Sequence, residues 1–95
     1  MMSTISQYRP SKRPSVKQVQ TWDILFQDTV DLSWRGLEDI TCRIEQGYPF
    51  PDFYRVTTWQ VGVGKKSKLF YGERAHSQVE MFVYDLGFRN VLGVI

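Results

Sequence analysis

The sequence predicts a single α+β domain. Three observations carry that reading. Residues 17–27 and 53–63 alternate in the manner of strands, residues 33–46 and 77–86 carry apolar side chains at helical spacing, and a glycine-rich turn joins two strand-like runs near residue 64. A chain of 95 residues has room for one core, and 42% hydrophobic and 15% aromatic residues suffice to build it.

Residues 1–15 are polar, basic and broken by Pro10 and Pro14, and read as a flexible arm ahead of a domain spanning 16–95. In residues 17–27, Trp22, Ile24 and Phe26 recur at period two, with Val19, Thr21 and Leu25 on the other face. Such two-faced apolarity predicts a central strand. Residues 33–46 predict a first helix: Ser33 as cap, Leu32 and Leu37 as a hydrophobic staple, Trp34, Leu37, Ile40, Thr41 and Ile44 as the buried stripe, and Gly47 as the left-handed stop. Pro49 and Pro51 then hold a loop.

Residues 53–63 are β-branched and aromatic and predict a second strand, "GKKS" a turn, and residues 68–73 a third strand antiparallel to the second. Residues 77–86 predict a second helix with Ser77 and Glu80 at capping-box spacing, Val79, Phe82, Val83 and Leu86 inward, and Gly87 as stop. Residues 88–95 close the chain as a fourth strand. The order β-α-β-β-α-β with right-handed crossovers gives the ferredoxin-like plan: a four-stranded antiparallel sheet with two helices on one face. That plan hosts many activities and selects none.

The stretch "VGVGKKSKLF", residues 61–70, invites comparison with a phosphate-binding loop. A Walker loop requires glycine five positions before Gly64, where Trp59 stands, and Ser or Thr where Lys66 stands. The stretch is a hairpin, with Gly64 supplying the positive φ of its turn and Gly62 marking a bulge or close backbone approach. Lys65, Lys66 and Lys68 then project from the tip, where lysines also guard an edge against aggregation.

Chemistry-bearing residues are few. Cys42 and His76 are single residues of their kinds, so an internal disulfide is excluded and zinc lacks a ligand set. Asp28 with Asp31 falls short of a calcium loop, and adjacent Glu38 and Asp39 do not face one another on a helix. No catalytic residue, cofactor or metal is expected, and the chain reads as a non-enzymatic module. No apolar run approaches the roughly 18 residues of a membrane span, and the N-terminus lacks a secretory apolar core, so a cytoplasmic protein without membrane contact is expected.

The net charge of +2 conceals a separation into +4 over residues 1–22, −5 over 23–54 and +3 over 55–95. Such a map steers partners. Two binding modes follow. A protein-binding regulator or self-associating homodimer would use the open sheet face, the acidic residues Glu38 and Asp39, and Met81 with Tyr84 on the outer side of the second helix. A nucleic-acid module would use Arg9, Lys12, Arg13, Lys17, Lys65, Lys66 and Lys68 on phosphates and sheet aromatics on bases. Alternation groups Tyr54 with Tyr71 against Trp59 with Phe70 and sends one set to the free face. The run "KLFYGE" does not match the signature of an RNA-recognition strand.

Overall fold

Ile40, Cys42 and Ile44 alternate with Thr41, Arg43 and Glu45, and this period-two pattern decides the architecture. In the computed structural model, which describes residues 13–95, the segment predicted as the first helix is a strand. Four strands form one antiparallel meander: β1 (Thr21–Val30), β2 (Ile40–Tyr48), β3 (Phe53–Gln60) and β4 (Gly64–Tyr71), paired in chain order. One helix, α1 (Ala75–Asp85), follows, and short 3-10 turns lie at Val16–Gln18, Ser33–Arg35 and Arg89–Val91. The α+β class and the four-stranded antiparallel sheet hold. The ferredoxin-like plan with two helices does not.

The reason lies in residues 32–44. Leu37, Ile40 and Ile44 fit a helical stripe, but Ile40, Cys42 and Ile44 fit a strand equally well, and pairing with both neighbours favours the strand. Gly36 at φ 73 ends the Ser33–Arg35 turn after three residues, so the helix never propagates. Asp31 accepts from the Ser33 amide at 2.8 Å, an Asx-type bond that leads the chain into that turn. Gly47, expected to stop a helix, instead lies buried in β2 opposite Trp22.

The β1 pattern is also recast. A bulge between Ile24 and Phe26 shifts the register, so Trp22 and Ile24 share one face while Phe26 enters the core on the other. β1 is an edge strand, not a central one, and β4 is the other edge. In the β3–β4 hairpin the turn is Val61–Val63, and the lysines sit in the strand beyond it. Gly62 (φ 87) and Gly64 (φ 95) take the positive dihedrals.

The core joins Ile44, Cys42, Val56 and Tyr54 of the sheet to Val79 and Val83 of α1. Val79 and Val83 of the predicted inward stripe are buried, while Phe82 and Leu86 are only half-buried. The helix starts two residues earlier than expected, from Arg74, without a side-chain cap. The expected fourth strand does not form. Gly87 at φ 116 reverses the chain, and residues 88–95 return beside α1. Phe88 and Val91, three apart, both sink into the core, which strand alternation would forbid. Phe88 meets Phe26 edge-on at 6.2 Å, and the Asn90 side chain donates to Asp28 at 2.8 Å. This segment occupies the layer in which a second helix was expected.

Candidate binding surfaces

Three surfaces could meet a partner, and the register defines each. The first is the sheet face away from α1. Pairing places Trp22, Arg43, Glu45, Phe53, Arg55, Thr57, Trp59, Lys65 and Tyr71 on it. Its end nearest the β2–β3 loop is closed. Phe53 is fully buried there among Trp22, Phe50 and Tyr71, with ring centroids 5.5–6.4 Å away. Residues 13–19 cap this cluster, with Pro14 buried and Val19 beside Trp22. The rest of the face stays open. Arg55 pairs with the buried Glu45 at 2.9 Å and lies over the Trp22 ring at 4.1 Å. Arg43 and Lys65 both approach the Trp59 ring, at 4.8 and 5.7 Å.

The second surface is a groove of about 440 Å³ on the helix side. Helix α1 packs on β3 and β4, and the groove opens between its C-terminal turn and the hairpin. Phe82 and Leu86 of the helix, Ile40 and Val56 of the sheet, and Val63 wall an apolar trough, with Lys66 and Lys68 on its margin. Lys68 arches over the Phe82 and Phe70 rings at 4.9 and 5.3 Å. No acid lines the groove, and no ion pair occupies either lysine among the described residues.

The third is the β1–β2 connection, residues 31–39. Leu32 is buried and anchors it. The Asp39 carboxylate accepts from the Leu32 amide at 3.3 Å, the Leu37 amide donates to the Leu32 carbonyl at 3.1 Å, and the Gln60 side chain donates to the Glu38 carbonyl at 2.8 Å. These bonds hold a firm loop, yet it presents Trp34 at 79% exposure and Leu37 at 47%. Asp31, Glu38 and Asp39 flank them along the chain, and the Arg35 guanidinium lies 5.8 Å from the Trp34 ring centroid.

The residues expected to bind distribute as follows. Arg9 and Lys12 lie outside the described residues. Arg13 and Lys17 are exposed beside the aromatic cap. Lys65 separates from Lys66 and Lys68, because consecutive strand residues face opposite ways. The expected grouping of Tyr54 with Tyr71 is corrected by the register: Tyr54 opposes Phe70 and is buried beneath α1, whereas Tyr71 shares a face with Phe53 and Trp59. Burial, with the nearby Asp52 charge, raises the Tyr54 hydroxyl above its ordinary range. Glu38 and Asp39 do lie at a surface, but on a loop. Met81 is exposed on the outer side of α1, and Tyr84 is covered by Arg89, which stacks at 4.5 Å and donates to its hydroxyl at 3.1 Å. Neither lines the groove.

Cys42 is fully buried, and desolvation pushes its thiol from 9.0 up to about 12, which removes it as a nucleophile at neutral pH. His76 lies on the outside, its Nε2 2.7 Å from the Ile95 carbonyl. Asp28 and Asp31 are held below the usual carboxylate range, the first chiefly by Asn90 and the second by Ser33. Among the described residues no three potential metal ligands converge, and no helix is long and apolar enough to cross a membrane. No family model, curated protein or solved structure matches this sequence.

The groove has no signature in the sequence pattern. Phe82 and Leu86 fit the inward stripe of the helix, yet both also face the groove beside the hairpin. Trp34 fits the helical stripe of residues 33–46, and that fit conceals its exposure. Its one signal was Gly36 two residues later.

Proposed function

We propose that this chain is a non-enzymatic protein-binding module, and that its docking element is the lysine-margined groove between α1 and the β3–β4 hairpin. One observation carries the reading: α1 leaves the hairpin end of its own sheet face uncovered, and the exposed trough is apolar in its walls and cationic at its edge. Apolar walls favour burial of a large side chain, at about 25 cal/mol per Å² removed from water. Unpaired lysines select an occupant with acidic flanks and speed its approach. The groove falls within the roughly 300–1,000 Å³ of pockets that accept compact ligands or side-chain anchors.

The test is an NMR titration with a short peptide carrying a Trp–Leu pair flanked by glutamates. Amide shifts should concentrate at Ile40, Val63, Phe82 and Leu86 and weaken when Lys66 and Lys68 are changed to Glu. A lack of shifts in the groove at millimolar peptide would remove this reading.

The open sheet face favours a second reading, single-stranded nucleic acid. Arg43 and Lys65 bracket Trp59, which offers a stacking surface with cations beside it.

A further inference from the structure

We infer that the groove receives a second copy of this chain, whose β1–β2 connection inserts Trp34 and Leu37, and that two copies exchange these loops about a two-fold axis. The inference rests on reading the groove as a protein-docking site. It adds the identity of the occupant.

Complementarity is the first argument. The groove is apolar and margined by Lys66 and Lys68, without an acid. The loop is apolar at its crest and carries Asp31, Glu38 and Asp39 against Arg35. Each is the kind of surface the other lacks. The loop is also prepared for insertion: bonds from Asp39, Leu32 and Gln60 fix its backbone while Trp34 stands almost free. A rigid loop with an exposed tryptophan loses little entropy on docking, and tryptophan is a leading anchor residue in interfaces.

Placement is the second argument. The register Ile40↔Gln60 sets the β1–β2 connection and the β3–β4 hairpin at the same end of the sheet. The Gln60–Glu38 hydrogen bond joins them, and Ile40, where the connection ends, is itself a wall of the groove. Loop and groove are thus neighbours on one end surface, yet Trp34 of the same chain remains outside the groove. Two copies meeting end to end can each supply the loop the other receives. That arrangement closes on itself and does not propagate into a fibre.

Magnitude sets the expected strength. A tryptophan buries about 150–250 Å². Two tryptophans with their receiving walls bury roughly 600–1,000 Å², below the roughly 1,200–2,000 Å² of stable complexes. The dimer is therefore weak and concentration-dependent.

The experiment is sedimentation velocity on the full chain from about 10 μM to 1 mM, the range in which a weak dimer of this kind dissociates. Mass should rise from 11.2 kDa toward twice that value. Trp34→Ala should weaken association at least tenfold. Glu38→Lys and Lys66→Glu should each weaken it severalfold, and the two together in one chain should recover most of the loss, since opposite charges again face each other. All these positions are exposed, and circular dichroism checks that the fold is retained. A monomer throughout the range, or a dimer indifferent to Trp34→Ala, overturns the inference. The peptide titration on the same monomeric sample reports separately on the groove, so the two failures are distinguishable.

Discussion

Gly47 shows how one residue can hold two elements in register. A Cβ at this position would stand 2.9 Å from a Val19 methyl and 3.1 Å from the Trp22 ring. The glycine is required by this close approach, because its φ is not in the left-handed region. Gly47→Ala should therefore destabilise the fold by about 1–3 kcal/mol, the range for overpacking, although alanine ordinarily gains in a strand. Urea unfolding measures this, and adding Val19→Ala should recover part of the loss by making room. An unchanged midpoint for Gly47→Ala would show that the residues 13–19 cap yields without cost. Cys42 makes a second prediction. Its thiol is raised by burial to about 12, so the folded state keeps the proton while the unfolded chain releases it above about 9. Stability from this group is fully present below the unfolded value and is lost as pH rises from about 9 towards 12, with a slope near 1 kcal/mol per pH unit. The slope should be shallower by that amount in Cys42→Ala. Parallel stability curves for the two proteins between pH 8 and 11 would contradict the burial argument.

At the scale of elements, what the sequence concealed has definite physical causes. The second and third predicted strands and the second predicted helix were legible because their patterns fit one period only. Residues 33–46 fit two, and tertiary pairing chose between them. The bulge in β1 could not be read from alternation, because it breaks the alternation it would be read from. Lys65, Lys66 and Lys68 are exposed, but the turn lies at Val61–Val63, three residues before the glycine–lysine run, so Lys65 and Lys66 sit in β4 and face opposite sides. Residues 88–95 have a strand-like composition, yet Phe88 and Val91 stand at a helical separation, and burial of both was the clue. This segment covers the core beside β1, where Phe88 meets Phe26, so its loss should be damaging. Phe88→Ala should cost about 3–5 kcal/mol, the usual cost of a phenylalanine cavity. Loss of the Asn90–Asp28 bond in Asn90→Ala should cost far less, since both partners are near water. Thermal melts of the two variants rank them. Similar small shifts for both would mean that the segment only lies on the core.

Over the whole molecule, both signs of charge meet at the hairpin end, where Asp39 and Lys65 line one hollow beside Trp59. Arg13 and Lys17 lie at the end with Phe50 and Tyr71, and the acidic connection Asp31–Asp39 lies at the other, beside the hairpin. A nucleic-acid strand on the open face would therefore enter from the end of Arg13 and Lys17 and be held at Trp59 between Arg43 and Lys65. Tyr54, buried on the opposite side, takes no part. Binding of this kind releases counterions, and affinity should fall by about 0.7 log units per log unit of salt for each phosphate neutralised on a single strand. Self-association through the loop and groove buries apolar surface, and salt should weaken it far less. The two readings separate in one series of measurements. Fluorescence anisotropy with short labelled single-stranded RNA, begun near 50 mM salt, where electrostatic attraction is least screened, should give a steep slope that flattens when Arg43 and Lys65 become alanine. Lys66→Glu should leave the slope almost unchanged, because its side chain points to the other face. Absence of binding at tens of micromolar protein in low salt would remove nucleic acid as a partner. It would leave the cations beside Trp59 as contacts that stiffen the sheet, each worth about 0.5–1 kcal/mol at an exposed site.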